Sequence, residues 1–517
     1  MRILSVIVLL TAGLALHGAA AAQMSTATTV RVGTAAGVVE AAAAEVASFR
    51  GIPYAAAPTG PLRWHSPEPA PRWTVVRPAI AFGKACPQDR TQSLDQAGDP
   101  GPTDEDCLFA NVWTPRADAA ARLPVMVWIH GGAFSIGAGS QTLYDGTALA
   151  RRGAVVVSFN YRLGSLGFFS HPALDAARPG GPVNFGLLDQ LAALRWVRVN
   201  IAAFGGDPDN VTIFGESAGA QSVLALYASP LARGLFARGI AQSAYGLPSA
   251  TRAQARKVGI AVAMAVGVGG AGATLEQLRA VPAEAFATLN GNRSTTLAPS
   301  LTVGDAALPR PILATFQQGR EAALPLIVGH NSDDASVIAA FGVDPAVLIS
   351  KLGAARIFVK PLYPGQNDPS RLGSEVARDV VFGAFARRIA YLHSAVAPTW
   401  RYYFGYLPLS LRSTAPGVAH GGEIASVFGA DERCGCLVAP PTDADRNIAR
   451  RVGDYWHAFA KTGSPAPSNN VAWPSDSRAT AHLLEFGDEP VARSDFMKRR
   501  FDTYIGALNL LEFFAAR

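Results

Sequence analysis

The sequence predicts an α/β fold, a mostly parallel central sheet covered by helices on both faces. Two observations carry this expectation. Short β-branched apolar runs alternate with stretches of helical periodicity, the pattern of repeated strand–helix units. Across 517 residues, hydrophobic side chains make up 49% and charged ones 16%, enough for a large core and too apolar for a disordered chain. The 51 Gly and 36 Pro show no three-residue period, which excludes a collagen-like rod. The formal charge of +6 is spread without Lys or Arg runs, which argues against nucleic-acid binding.

Residues 1–22 read as a secretory leader. Arg2 is followed by the apolar run Ile3 to Leu16, and small residues at Gly18 to Ala22 suit cleavage before Gln23. The run is shorter than the ~20 residues a bilayer span needs, so no membrane span is expected. The mature protein should be exported, to the periplasm or the exterior. No low-complexity linker or internal repeat divides 23–517, which reads as a single domain. Cys86 and Cys107 bracket a loop rich in Pro, Gly and Asp, which a disulfide would stabilise by roughly 3 kcal/mol in the chain-entropy model. Cys434-Gly435-Cys436 differs. One spacer strains a direct bridge, and two thiolates without nearby His or Cys partners make a poor zinc site. A constrained surface loop is the reading.

Pro124 to His130 is a short apolar run of the kind buried in a parallel sheet, and Ala154 to Asn160 is a second. From Asn184 to Phe204, Leu187, Leu191, Leu194, Val197 and Ile201 recur at helical spacing, and Gly205-Gly206 stops the helix. Asp207-Pro208-Asp209-Asn210 reads as a turn before a strand at Val211 to Phe214. A helix follows at Ala218 to Ala228, and the next strand starts at Ile240. Later strands are expected at Leu324 to Gly329 and Trp400 to Leu407. The stretches 250–320 and 335–395 are mostly helical and Ala-rich, a cap or flank over the sheet.

Gly215-Glu216-Ser217-Ala218-Gly219 has the G-x-S-x-G form. Alone it is short enough to arise by chance, but here a strand precedes it and a helix follows. That context marks a sharp turn presenting the Ser217 hydroxyl at a helix N-terminus. Directly after the strand ending at His130 stand Gly131 and Gly132, then Ala133 and Phe134. Their unshielded amides, with that of Ala218, would form an oxyanion hole, each donor contributing on the order of 3 kcal/mol to the transition state.

A serine nucleophile needs a base, and the base an orienting carboxylate, in the chain order Ser, acid, His for α/β-hydrolases. Of nine histidines, His330, His393, His420, His457 and His482 follow Ser217. His393 and His457 lie in helical patterns, His330 precedes the best acid, and His482 sits in a polar stretch near the end. His420, in the loop Ala419 to Gly422 after a strand, is the candidate. For the acid, Asp333 and Asp334 follow the strand ending at Gly329. Pattern alone does not choose between them.

With these motifs in place, the chain resembles the type-B carboxylesterases, the cholinesterase-like branch of the α/β-hydrolases. The matching stretches are Phe49 to Ala55 with Leu62 to Trp64, Glu105 to Trp113, His130 to Phe134, Asn160 to Gly164 and Asn184 to Val223. The resemblance implies an α/β-hydrolase fold with helical insertions, Ser217 as nucleophile and His420 as base. It selects Asp334 as the acid, where the family has a Glu, so this chain is shorter there by one methylene and Asp333 stays the alternative. It places Ser243 and Glu423 behind the triad as hydrogen-bond partners, and Glu216, next to the serine, belongs with them. It also implies the pairing Cys86–Cys107 and names no counterpart for Cys434 and Cys436.

The function expected is hydrolysis of carboxylic esters through an acyl-enzyme, with a small-molecule ester as partner and no metal or organic cofactor. A neutral His420 predicts kcat/KM rising with pH through an apparent pKa of about 6–7. The alternatives are a non-catalytic binding or adhesion protein on the same fold, which would not need an intact triad, and a thioester or amide hydrolase, which would differ only in its pocket. Lipase action at an oil surface is disfavoured because no apolar lid is evident. The acyl and alcohol groups and the oligomeric state are not legible.

Overall fold

The computed structural model describes residues 29–515 except 91–96, 248, 290–296, 352, 354, 355 and 431–438. The leader expected at 1–22, Cys434 and Cys436 lie outside the described residues. Ten strands form the main sheet. In chain order they are β1 (Ala47–Pro53), β2 (Phe109–Thr114), β3 (Leu123–Ile129), β4 (Val155–Phe159), β5 (Gly206–Glu216), β6 (Arg238–Gln242), β7 (Leu326–Asn331), β8 (Thr399–Phe404), β9 (His482–Phe486) and β10 (Pro490–Ser494). Their order in space is β10-β9-β8-β7-β6-β5-β3-β4-β2-β1. Neighbours are parallel from β4 through β9 and antiparallel at both edges.

Burial explains why the central strands read as unbroken apolar runs. In β3, Val125, Val127 and Ile129 join the core on one face with Leu187, Leu191 and Leu194 from the helix Phe185–Asn200. Met126 and Trp128 point the other way, into a second core with Trp456 and Phe459 of the helix Asp443–Thr462. Strand period two thus sends alternate residues to two helical layers. The helix Ala218–Ala228 packs in the first layer and has the bounds expected of it.

Several elements differ from expectation. The helix expected to run to Phe204 turns to a 3₁₀ segment at Ile201–Phe204. Residues 207–210 are not a separate turn. They belong to β5, whose register on β3 jumps from Leu123↔Gly206 to Val125↔Val211, so the Asp-Pro-Asp-Asn tetrapeptide is an extended bulge. The strands expected at 324–329 and 400–407 lie at 326–331 and 399–404.

From β3 the chain crosses to β4 on one side and returns to β5 on the other. That reversal is the switch point where open α/β sheets bind ligands, beyond the carboxyl ends of the strands. Residues 130–134 follow β3 there and Ser217 follows β5. The stretches 250–320 and 335–395 are largely helical, as expected, with a π-turn at Asp379–Gly383. Both contribute walls to the cavity over this point. Cys86 and Cys107 form a disulfide. Among the described residues, no helix is long and apolar enough to cross a membrane.

Candidate active site

Ser217 sits between β5 and its helix with φ 55° and ψ −120°, a left-handed conformation rare for a side chain with a Cβ. Gly219 lets the turn close: a Cβ there would stand 2.0 Å from the carbonyl oxygen of Ile129. The motif therefore needs glycine because the helix start lies against the end of β3. On the facing segment Gly132, Ala133 and Phe134 have φ of 94°, 54° and 58°, a curl that brings Gly131 onto the serine. A Cβ at Gly131 would lie 3.3 Å from Ser217 Cβ and 2.9 Å from Glu216 Oε2. His130 is buried and stacked on Tyr161, which donates from its hydroxyl to the His130 carbonyl at 2.8 Å. Burial pushes the His130 pKa down to about 4, so the ring is a neutral prop under the glycines.

His420 Nδ1 lies 2.9 Å from Asp334 Oδ1. The other oxygen of Asp334 accepts from the Ser243 hydroxyl at 3.0 Å and from the Asn331 amide at 2.7 Å. Asp333, the alternative acid, makes no hydrogen bond to His420 among the described residues. Its backbone amide instead donates to the Val418 carbonyl at 2.9 Å. More bonds join the same two loops: Val418 N–H to Ser332 Oγ, His420 N–H to Ser336 Oγ, and Asn331 Nδ2 to the Ala419 carbonyl. This close apposition lets a side chain one methylene shorter than Glu reach the imidazole.

Behind the pair, Glu423 accepts from Gln242 Nε2 at 2.9 Å and from Asn331 Nδ2, and Gln242 accepts from Trp456 Nε1. Burial, then the nearby Asp334 charge, raises the Glu423 pKa. Asn331, Gln242 and Ser336 were not singled out from sequence, and no spacing rule marks them. Phe382, on the π-turn, packs its ring 5.2 Å from that of His420. Three of the other histidines after Ser217 are engaged elsewhere: His330 between Tyr403 and Phe501, His393 on Glu321, His482 on Ser494.

The largest departure from expectation is at Nε2. Among the described residues the Ser217 hydroxyl makes no hydrogen bond to His420, and Nε2 lies 3.1 Å from Glu216 Oε1. Burial works to lower the His420 pKa, but the charges of Glu216, Asp334 and Glu423 and the Asp334 hydrogen bond outweigh it, lifting the value to about 9. The ordinary imidazole value expected from sequence does not hold here, because the residue before the serine turns its carboxylate onto the base.

Ser217, Glu216 and His420 open on a cavity of about 860 Å³. Phe134, Leu301, Ile312, Phe341, Ile349 and Phe382 supply much of its wall, and no Lys or Arg among the described residues lines it. Such a site can seat a bulky apolar group beside a serine, a histidine and a run of glycine amides. No group of three or more metal-binding side chains occurs among the described residues.

The family model described as "Carboxylesterase family" matches residues 24–360 and 364–504. The chain is 34% identical over 480 residues to fumonisin B1 esterase of Sphingopyxis macrogoltabida, covering 88% of this chain and 86% of that one. It is 36% identical over 469 residues to para-nitrobenzyl esterase of Bacillus subtilis (strain 168), covering 87% and 93%. Among solved structures, the Geobacillus stearothermophilus carboxylesterase EST55 superposes with a TM-score of 0.81 at 30% identity, covering 92% of this chain and 99% of that one.

Proposed function

The chain belongs to the carboxylesterase family and is a serine hydrolase of carboxylic esters, and from that premise we propose that Ser217, His420 and Asp334 carry the reaction. Ser217 Oγ attacks the ester carbonyl carbon as neutral His420 takes its proton at Nε2. The oxyanion is held by the amides of Gly131, Gly132 and Ala218. Protonated His420 then gives its proton to the departing alcohol oxygen, leaving an acyl group on Ser217. A water, deprotonated by His420, releases the acid. Asp334 fixes the tautomer with Nδ1 protonated, while Ser243, Glu423 and the Asn331 amide fix Asp334 and its loop. Glu216 favours the imidazolium that forms at each transition state. For Nε2 to face the serine, His420 must exchange Glu216 for Ser217, a tightening expected once substrate is bound.

The observation that carries this reading is the 2.9 Å contact of His420 with Asp334 in the same cavity as the strained Ser217. Ser217→Ala tests it: hydrolysis of a p-nitrophenyl ester should fall to background with the melting temperature retained. Turnover above a few per cent of wild type would refute the assignment. We further assign the cavity to bulky, neutral acyl or alcohol groups, because its wall is apolar and no Lys or Arg among the described residues lines it. Export through the leader at 1–22, with 23–517 as one domain, completes the proposal and is supported by the Cys86–Cys107 disulfide.

A further inference from the structure

The segment that walls one side of the cavity has an outer face. It comprises the helices Ser336–Ala340, Pro345–Lys351 and Arg356–Val359. On its inner side Val337, Ile338, Phe341, Leu348 and Ile349 line the cavity. On its outer side Val347 is 41% exposed, and the adjacent Ile357 and Phe358 are 68% and 73% exposed. Lys351, Arg356 and Lys360 flank this pair and are exposed. Among the described residues none of the three has an ion pair. The neighbouring acids do not neutralise them: Asp344 accepts from the Ala346 amide and Asp368 from the Arg371 amide, each capping its own helix.

We propose that this outer face docks the enzyme on an anionic lipid surface, with Ile357 and Phe358 entering the headgroup region and Lys351, Arg356 and Lys360 against lipid phosphates. An adjacent Ile and Phe held in water gain free energy when an apolar boundary covers them. Unpaired cations around them select a boundary that is negatively charged. The docking is peripheral and needs no spanning helix. It also places the wall of an ester-binding cavity against the phase in which apolar esters collect.

The test is co-sedimentation of the full mature chain with vesicles of phosphatidylcholine containing about 30% phosphatidylglycerol, and with pure phosphatidylcholine vesicles. Wild type should bind the anionic vesicles about tenfold or more tightly than the neutral ones, and high salt should weaken the binding. Ile357→Ser/Phe358→Ser and Lys351→Gln/Arg356→Gln/Lys360→Gln should each lower anionic-vesicle binding about tenfold or more, with hydrolysis of a soluble short-chain ester unchanged. Equal binding by wild type and the Ile357/Phe358 variant would overturn the proposal. So would no binding by wild type, or a dimer that the Ile357/Phe358 variant abolishes without any vesicle binding. Loss of soluble-ester turnover in that variant would make the pair structural and equally overturn it.

Discussion

Glu216 and His420 show how one side chain resets another. A base with a raised pKa is protonated, and idle, over more of the pH range, so the ascending limb of kcat/KM should have its midpoint above 6.5 and toward 9. Glu216→Gln removes the largest of the influences raising it and should move that midpoint toward acid by about one to three pH units. A profile from pH 5 to 10 on both proteins checks this, and coincident midpoints would remove Glu216 from the account. At the acid, Asp334→Asn should lower kcat by up to ~10⁴-fold through the wrong tautomer, with Asp333→Asn much milder. Single-variant kinetics decide it, since a reversed order would hand the role to Asp333. The sharp turn at Ser217 was legible because glycines at fixed spacing report a backbone approach that leaves no room for a Cβ. Asp334 against Asp333 was not legible from pattern, because adjacent carboxylates differ only in which loop they meet. Glu216 occupies a variable position of its motif, and nothing in the string says where its carboxylate turns.

At the scale of elements, the turn between β5 and its helix is set by contact with β3 rather than by its own sequence. Gly219→Ala puts a methyl 2.0 Å from the Ile129 carbonyl oxygen, a main-chain atom that cannot step aside as a side chain would. Overpacking of this kind costs about 1–3 kcal/mol. The expected result is a lower melting temperature together with a kcat loss, because the same shift moves Ser217 from Gly131 and Gly132. A variant as stable and active as wild type would show that the strand ends yield more freely. The helix at 218–228 was readable to its end residues because its apolar positions agree with the glycines at its start and with Ser229-Pro230 after its end. The bulge at 207–210 was misread because Asp, Pro and Asn carry turn chemistry whether the chain reverses or merely bows outward. β10 was missed because it is an edge strand whose residues 491–494 are all exposed, so it shows no apolar alternation.

For the molecule as a whole, composition and alternation were enough for a covered parallel sheet. They could not give strand order, which depends on contacts between segments many tens of residues apart, such as β8 on β7 and β9. The disulfide between Cys86 and Cys107, 21 positions apart in the chain, should contribute roughly 3 kcal/mol by limiting the unfolded chain. Thermal melts with and without reductant, compared with Cys86→Ser/Cys107→Ser, measure it. An unchanged midpoint in the variant would show the bond to be energetically idle.

The loops after β7 and β8 are tied to one another at 331–336 and 417–420. The proposed acid and base, Asp334 and His420, therefore ride on one fastened seam, while Ser217 rides on another part of the frame. Residues 405–416, which lead from β8 to that seam and include the exposed stretch 412–414, lie upstream of the fastening. Length inserted there is absorbed before the chain reaches the imidazole. This makes 412–414 a place where a peptide tag or a reporter can be spliced into the enzyme without retuning its chemistry.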